Sequence, residues 1–172
     1  MFFLLPINSN GRPRYLPKTA WAACRALGIP AGRIVQTMGA GKFSGGTHGR
    51  DGFFVNEKFL PESYSCAFDI SVLHPYPFKE AQIKSVLSAL ARRGIAAWFR
   101  DPSRPEDGWH EAPHIHAVDC NLRMKPILQD QIHNWVHGLN GLVTHTHYNF
   151  YTWPDSEIQT VRTAFLLKNP SH

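Results

Sequence analysis

Cys66-Ala67-Phe68-Asp69-Ile70-Ser71-Val72 is the stretch on which the fold turns. Cys66, Phe68, Ile70 and Val72 alternate with Ala67, Asp69 and Ser71, which is the two-residue period of a β-strand. One face is apolar and the other carries a carboxylate. Lys79 to Arg93 follows with Ile83, Val86, Leu87 and Leu90 at helical spacing, and Gly94 is placed to terminate that helix. Ile95 to Phe99 then reads as a second strand and Asp101 to Gly108 as a charged, proline-bearing loop. In the third strand, His114 to Val118, residues His114, His116 and Val118 alternate with Ile115 and Ala117.

Working outward, a helix is expected over Lys18 to Leu27, between Pro17 at its start and Gly28 beyond its end. Pro126 to His137 is a second amphipathic helix, closed by a turn at Gly138-Leu139-Asn140-Gly141. Ser156 to Leu167 is the last helix, with Asp155 or Ser156 as its cap. Strands interrupted by helices, without internal repeats, point to an α+β domain built on a small sheet. At 172 residues the chain suits a single domain, 1–172, with a proper core.

Composition narrows the partners. The formal charge of +5 favours polyanions such as nucleic acid, wall polymers or anionic lipid. The Lys and Arg are nevertheless scattered, with only Arg92-Arg93 paired at a helix end, which reads as a solvated surface and argues against nucleic acid. Cys24, Cys66 and Cys120 have no CxxC spacing and read as buried thiols in a reducing compartment. The apolar start Met1-Phe2-Phe3-Leu4-Leu5 stops at Pro6, too soon for a secretory signal, and no apolar run is long enough to span a bilayer. A cytoplasmic location is the expectation. The Gly-rich stretch Gly39 to Gly52 lacks the Gly-Lys-Ser/Thr of a phosphate loop, because Phe43 stands after Gly41-Lys42.

Chemistry concentrates in the histidines, ten in all. His114-Ile115-His116 sets two imidazoles on one strand face, and Asp69 lies on the polar face of another strand. Two histidines and one carboxylate form a catalytic zinc set that leaves a fourth position for water. A second pair, His145-Thr146-His147, precedes Tyr148, Phe150, Tyr151 and Trp153 and reads as an aromatic loop packing on the core. Neither His-x-His has the third-position hydroxyl of a paired His-x-Ser/Thr phosphoesterase. Trp98, Trp109 and Trp135 are read as core or pocket walls, with Trp109 the one placed to pack on a substrate.

Ser65-Cys66-Ala67-Phe68-Asp69-Ile70, preceded by Ser44-Gly45-Gly46-Thr47-His48 and followed by His114-Ile115-His116, resembles the LAS-type metallopeptidases. These are D-alanyl-D-alanine carboxypeptidase-like zinc enzymes of cell-wall peptides, whose fold hedgehog signalling domains share. The resemblance covers roughly residues 45–119. It implies a small antiparallel sheet flanked by helices and a metal-site core over about 45–119; the two later helices read above make a helical C-terminal part over about 125–168. It also implies one zinc ion on His48, Asp69 and His116, with His114 lining the pocket and assisting the attacked carbonyl. The activity it implies is hydrolysis of a peptide bond, in peptidoglycan peptides, by an enzyme that reaches the wall after release.

Two departures from the family pattern stand out. The first histidine is usually seven residues before the aspartate, whereas His48 is 21 before Asp69 and Glu62 occupies the seventh place. His48 is preferred and Glu62 stays as the rival ligand; Arg50 to Tyr64 then becomes an inserted loop or hairpin. The acid usually three before the last histidine is replaced by Pro113. Glu111 is the first candidate for that role, with His110 and His114 competing. Arg33 or Gln36, upstream of the first histidine, would steady an oxyanion. A metal-binding or purely binding domain of the same fold is the alternative, and oligomeric state is not legible.

Overall fold

The computed structural model describes residues 2–5, 14–37, 47–48, 54–55, 58–59, 65–104, 108–141 and 144–170. Strands β1 (Phe2–Leu5) and β2 (Arg14–Pro17) pair antiparallel and lead into α1 (Lys18–Ala26). A 3-10 turn at Ala31–Arg33 enters β3 (Ile34–Gln36). Phe54–Val55 (β4) and Lys58–Phe59 (β5) pair antiparallel, so the stretch expected as a loop or hairpin between His48 and Asp69 contains a pair of short strands. Then come β6 (Ala67–Ser71), α2 (Glu80–Ala91), β7 (Ile95–Arg100), β8 (His114–Asp119), α3 (Pro126–Val136) and α4 (Asp155–Lys168). Glu62 and most of the Gly-rich stretch lie outside the described residues.

The architecture is α+β. Its main sheet has the order β3-β6-β8-β7 with every neighbouring pair antiparallel. Strands β6 and β7 therefore run parallel to each other with β8 between them. Parallel strands need a long crossover, which is what α2 supplies. Its stripe of Ile83, Val86, Leu87 and Leu90 is buried as the spacing predicts. Gly94 ends the connection at φ 72°, and a Cβ there would stand 2.8 Å from the Ala164 Cβ of α4. The same two helices are tied by the buried Glu157, which accepts from Ser88 Oγ at 2.6 Å and Arg92 Nε at 3.1 Å.

Sheet register sets the chemistry. Asp69 lies opposite His116 and His116 opposite Trp98; one step along, Ser71, His114 and Arg100 line up in the same way. Directly opposed residues share a face, so these two rows occupy one side and Ile70, Ile115 and Phe99 the other. The alternation is as the sequence predicts. What differs is solvent: every residue of β6, β7 and β8 is buried, on both faces. The carboxylate-bearing face is covered in part by α3. There Leu128, Ile132 and Trp135 are fully buried, each contributing roughly 1.5–3 kcal/mol by leaving water. Trp135 Nε1 donates to the Ala97 carbonyl at 3.1 Å and Trp98 Nε1 to the Leu139 carbonyl at 3.0 Å, which seats α3 and its following turn on β7.

One expectation about termini is corrected. Neither Asp155 nor Ser156 caps α4: Pro154 holds the N-cap place without a side-chain bond, and Asp155 is already helical. Asp155 and Glu157 instead place negative charge in the first turn, where the helix dipole favours it. The three cysteines are buried and form no disulfide, and burial pushes the Cys24 thiol up to about 12. Among the described residues no helix is long and apolar enough to cross a membrane.

Candidate metal centre

Three segments converge on the Asp69 carboxylate. Strand β6 supplies Asp69 itself, β8 supplies His114 and His116, and a turn between β3 and β4 supplies His48. His116 Nδ1 lies 2.8 Å from Asp69 Oδ1, His48 Nε2 lies 3.3 Å from Oδ2, and His114 Nε2 lies 3.8 Å from Oδ1. His48, Asp69 and His116 each offer a ligand atom within 4.8 Å of the others, and all three are buried. These residues can hold a metal ion, and no other such group of three exists among the described residues.

The second nitrogen of each ring explains why the arrangement suits a cation. His48 Nδ1 donates to the Ala67 carbonyl at 3.2 Å, and His114 Nδ1 to the Ala112 carbonyl at 3.0 Å. His116 Nε2 faces Gln131 Oε1 at 3.1 Å. A neutral imidazole has one N–H and one lone pair. With the N–H spent outward on an acceptor, the inward nitrogen of a neutral ring offers its lone pair to a cation; without a cation, a proton on that nitrogen bonds Asp69 instead. Lone pairs facing a carboxylate repel it unless a proton or a metal ion lies between. Outward bonds from ligating histidines to carbonyls are also the usual way such rings are oriented. The donor set, imidazole nitrogens with one carboxylate, fits zinc among the common divalent ions.

The electrostatics agree. Burial by itself would raise the Asp69 carboxyl. Hydrogen bonds from His116 and His48, with their nearby charge, outweigh it and hold Asp69 well below the usual carboxylate range. For His116, burial dominates over the attraction of Asp69 and lowers its pKa from the ordinary 6.5, favouring the neutral ring. An ionised carboxylate and a neutral imidazole are the forms that ligate.

Aromatic rings frame the cluster. Trp98 stacks on His116 with centroids 5.9 Å apart, and His48 meets His116 edge-on at 5.4 Å. Trp109 sits edge-on to His114 at 4.8 Å, and its Nε1 reaches the Ala112 carbonyl at 3.4 Å. The other sequence candidates are placed differently. Arg33 is buried, with its guanidinium donating to the carbonyls of Ser71 (3.1 Å) and Tyr76 (2.7 Å) and lying 4.0 Å over the Phe78 ring. It braces the loop that leaves β6. Gln36 stands opposite Asp69 in β3, across a shift in register. Glu111 and His110 are exposed in the bend before β8. His145 approaches Asn134 Oδ1 at 3.3 Å and His147 bridges Leu139, while Tyr148, Phe150 and Trp153 pack into the core as expected.

Gln131 was not among the sequence candidates. Its signal was available: it falls between Leu128 and Trp135 on the apolar stripe of α3, where a polar side chain needs a buried partner. No protein-family model matches this chain, and no curated protein or solved structure matches it.

Proposed function

We propose that the chain is a zinc-dependent hydrolase of amide bonds, acting on a peptide bond in peptidoglycan peptides. One observation carries the metal part of this reading: three imidazoles turn their inward nitrogens on a single buried carboxylate while their outward nitrogens face the Ala67 and Ala112 carbonyls and the Gln131 amide. Reaction class and substrate come from the resemblance of the His48, Asp69 and His114-Ile115-His116 segments to LAS-type metallopeptidases. When bound, zinc acts as a Lewis acid toward a scissile carbonyl and makes water nucleophilic near neutral pH.

The side chains divide the remaining work by exposure. His114 is the least buried of the four, at 9% against 6% for His48, 3% for Asp69 and 1% for His116, and the half-buried Trp109 beside it makes the His114 side the one this reading assigns to the substrate. His114 is held by Ala112 and directs Nε2 inward, where it can orient the scissile carbonyl or carry the proton that moves to the leaving amine. Trp109, half-buried beside that ring, offers an apolar wall for the substrate. Glu111, on the outer bend, is the second candidate for the proton.

The deep burial of His116 and Asp69 favours one rival, a closed structural metal site without turnover. Zinc content of purified protein, compared among wild type and the His48→Ala, Asp69→Ala and His116→Ala variants, addresses the metal. If none of the three lowers it, the metal reading is lost. Release of new amines from purified peptidoglycan peptides by the zinc-loaded protein addresses the reaction. Zinc bound at one per chain with no cleavage selects the structural rival.

A further inference from the structure

We propose that Gln131 of α3, accepting at its amide oxygen from His116 Nε2, favours the His116 tautomer that presents Nδ1 to a bound cation. The inference deepens the metal reading above and rests on it. His48 and His114 are each oriented by a main-chain carbonyl on Nδ1, leaving Nε2 inward. His116 is reversed: its Nδ1 faces Asp69 at 2.8 Å, and its outward Nε2 meets a side-chain amide oxygen, Gln131 Oε1, at 3.1 Å. Gln131 is 2% exposed and His116 1%, so water does not compete for this contact.

The amide has two orientations with opposite consequences. With Oε1 on His116, the ring proton sits on Nε2 and the Nδ1 lone pair is available. Rotated by half a turn, the amide would donate to Nε2, and the ring proton would move to Nδ1 and onto Asp69. That state has a satisfied Asp–His hydrogen bond and no His116 ligand. Gln131 Nε2 lies 3.5 Å from Thr47 Oγ1, beside His48; a hydroxyl both donates and accepts, so this neighbour suits either orientation. Gln131 is thus a positioning residue, acting through His116.

The test uses the whole chain labelled with 15N-histidine, with zinc chloride as the probe. His116 is read by its long-range ring correlations, beside zinc affinity from chelator competition. The zinc-loaded wild type is expected to show His116 protonated at Nε2. Gln131→Glu, which when ionised can only accept, should keep that tautomer and bind zinc at least as tightly. Gln131→Met should lose about 10–100-fold in affinity, the usual cost of an outer partner, with the Nε2–H tautomer of the zinc-free protein no longer dominant. A zinc-loaded wild type protonated at Nδ1 would overturn the proposal. So would a Met variant that binds like wild type, or one that loses affinity with the zinc-free tautomer unchanged, since that is a packing effect. Failure of wild type to take up zinc at all removes the metal reading itself, a separate and visible outcome.

Discussion

Two aspartates are buried in the same sheet, and they do different work. Asp69, in β6, is ringed by His48, His114 and His116. Asp119, at the end of β8, accepts from the Thr19 hydroxyl, the Asn121 amide at 2.9 Å and the Asn121 backbone N–H at 3.0 Å. It also accepts from the Ala20 backbone, so it serves the first turn of α1, whose own N-cap residue Pro17 offers no side-chain bond. Both carboxylates are at most 3% exposed. Around Asp119, burial outweighs these bonds and raises the carboxyl above its ordinary value, whereas around Asp69 the histidines win and lower it. Depth alone therefore does not make a site. The difference lies in whether the neighbours are neutral donors that satisfy the acid or titratable rings whose lone pairs need a cation.

Removing each acid should break the comparison most sharply. Asp69→Ala is expected to abolish stoichiometric zinc, an affinity loss of more than about 100-fold, beyond the range for outer-shell partners. Asp119→Asn should retain one zinc per chain in the same metal analysis. Equal loss from both variants would mean that the two carboxylates are not functionally distinct.

Stability should run the other way. Asp119→Ala leaves the donors of Thr19, Asn121 and the α1 terminus without their acceptor, a cost of about 3 kcal/mol in a urea titration of the zinc-free protein. Asp119→Asn keeps one acceptor oxygen and a neutral group, matching the form that burial favours, and should cost less than half as much. If it costs as much as alanine, the charge of Asp119 carries the capping role.

The contrast was only half visible in the sequence. Asp69 and His116 were legible because strand period and the His-x-His spacing place them on one face, and antiparallel register then sets them opposite each other. His48 depended on reading through an insertion, of which the paired strands Phe54–Val55 and Lys58–Phe59 are described. Burial of the polar face was not legible, because it comes from α3, more than ten residues further along the chain, packing Gln131 onto His116. Nor were β1, β2 and β3: they are four, four and three residues long, too short for a period to register. Asp119 escaped notice for a similar reason, since its partners Thr19 and Ala20 lie about a hundred residues away.

Titration offers a smaller, signed effect. Asp69 and His116 both have folded values below their ordinary 3.8 and 6.5, so in those windows the unfolded chain binds more protons. Stability of the zinc-free protein should fall as pH drops below about 6.5 through the lowered His116 value, and again below about 4 for Asp69. Asp119 is raised above 3.8, so its contribution is full at low pH and is lost as pH rises through its folded value. Urea midpoints across pH should lose the first decline in His116→Gln and the opposing one in Asp119→Asn. If His116→Gln leaves the profile below pH 6.5 unchanged, the ring is not buried neutral.

The smallest effect is expected at Glu111, and it tests where the centre ends. Its side chain is exposed on the bend that Pro113 separates from β8, while His114 is pinned by the Ala112 carbonyl with Nε2 inward. An exposed carboxylate outside the cluster should tolerate Glu111→Gln with less than about 0.5 kcal/mol of change in stability. Zinc affinity and peptide cleavage should stay within about twofold. His114→Gln, by contrast, should lower turnover by about 100-fold or more, as removal of a positioned proton-transfer group does. A drop of tenfold or more in Glu111→Gln, with zinc content unchanged, would reassign the proton to Glu111 and require the 108–113 bend to fold over the substrate.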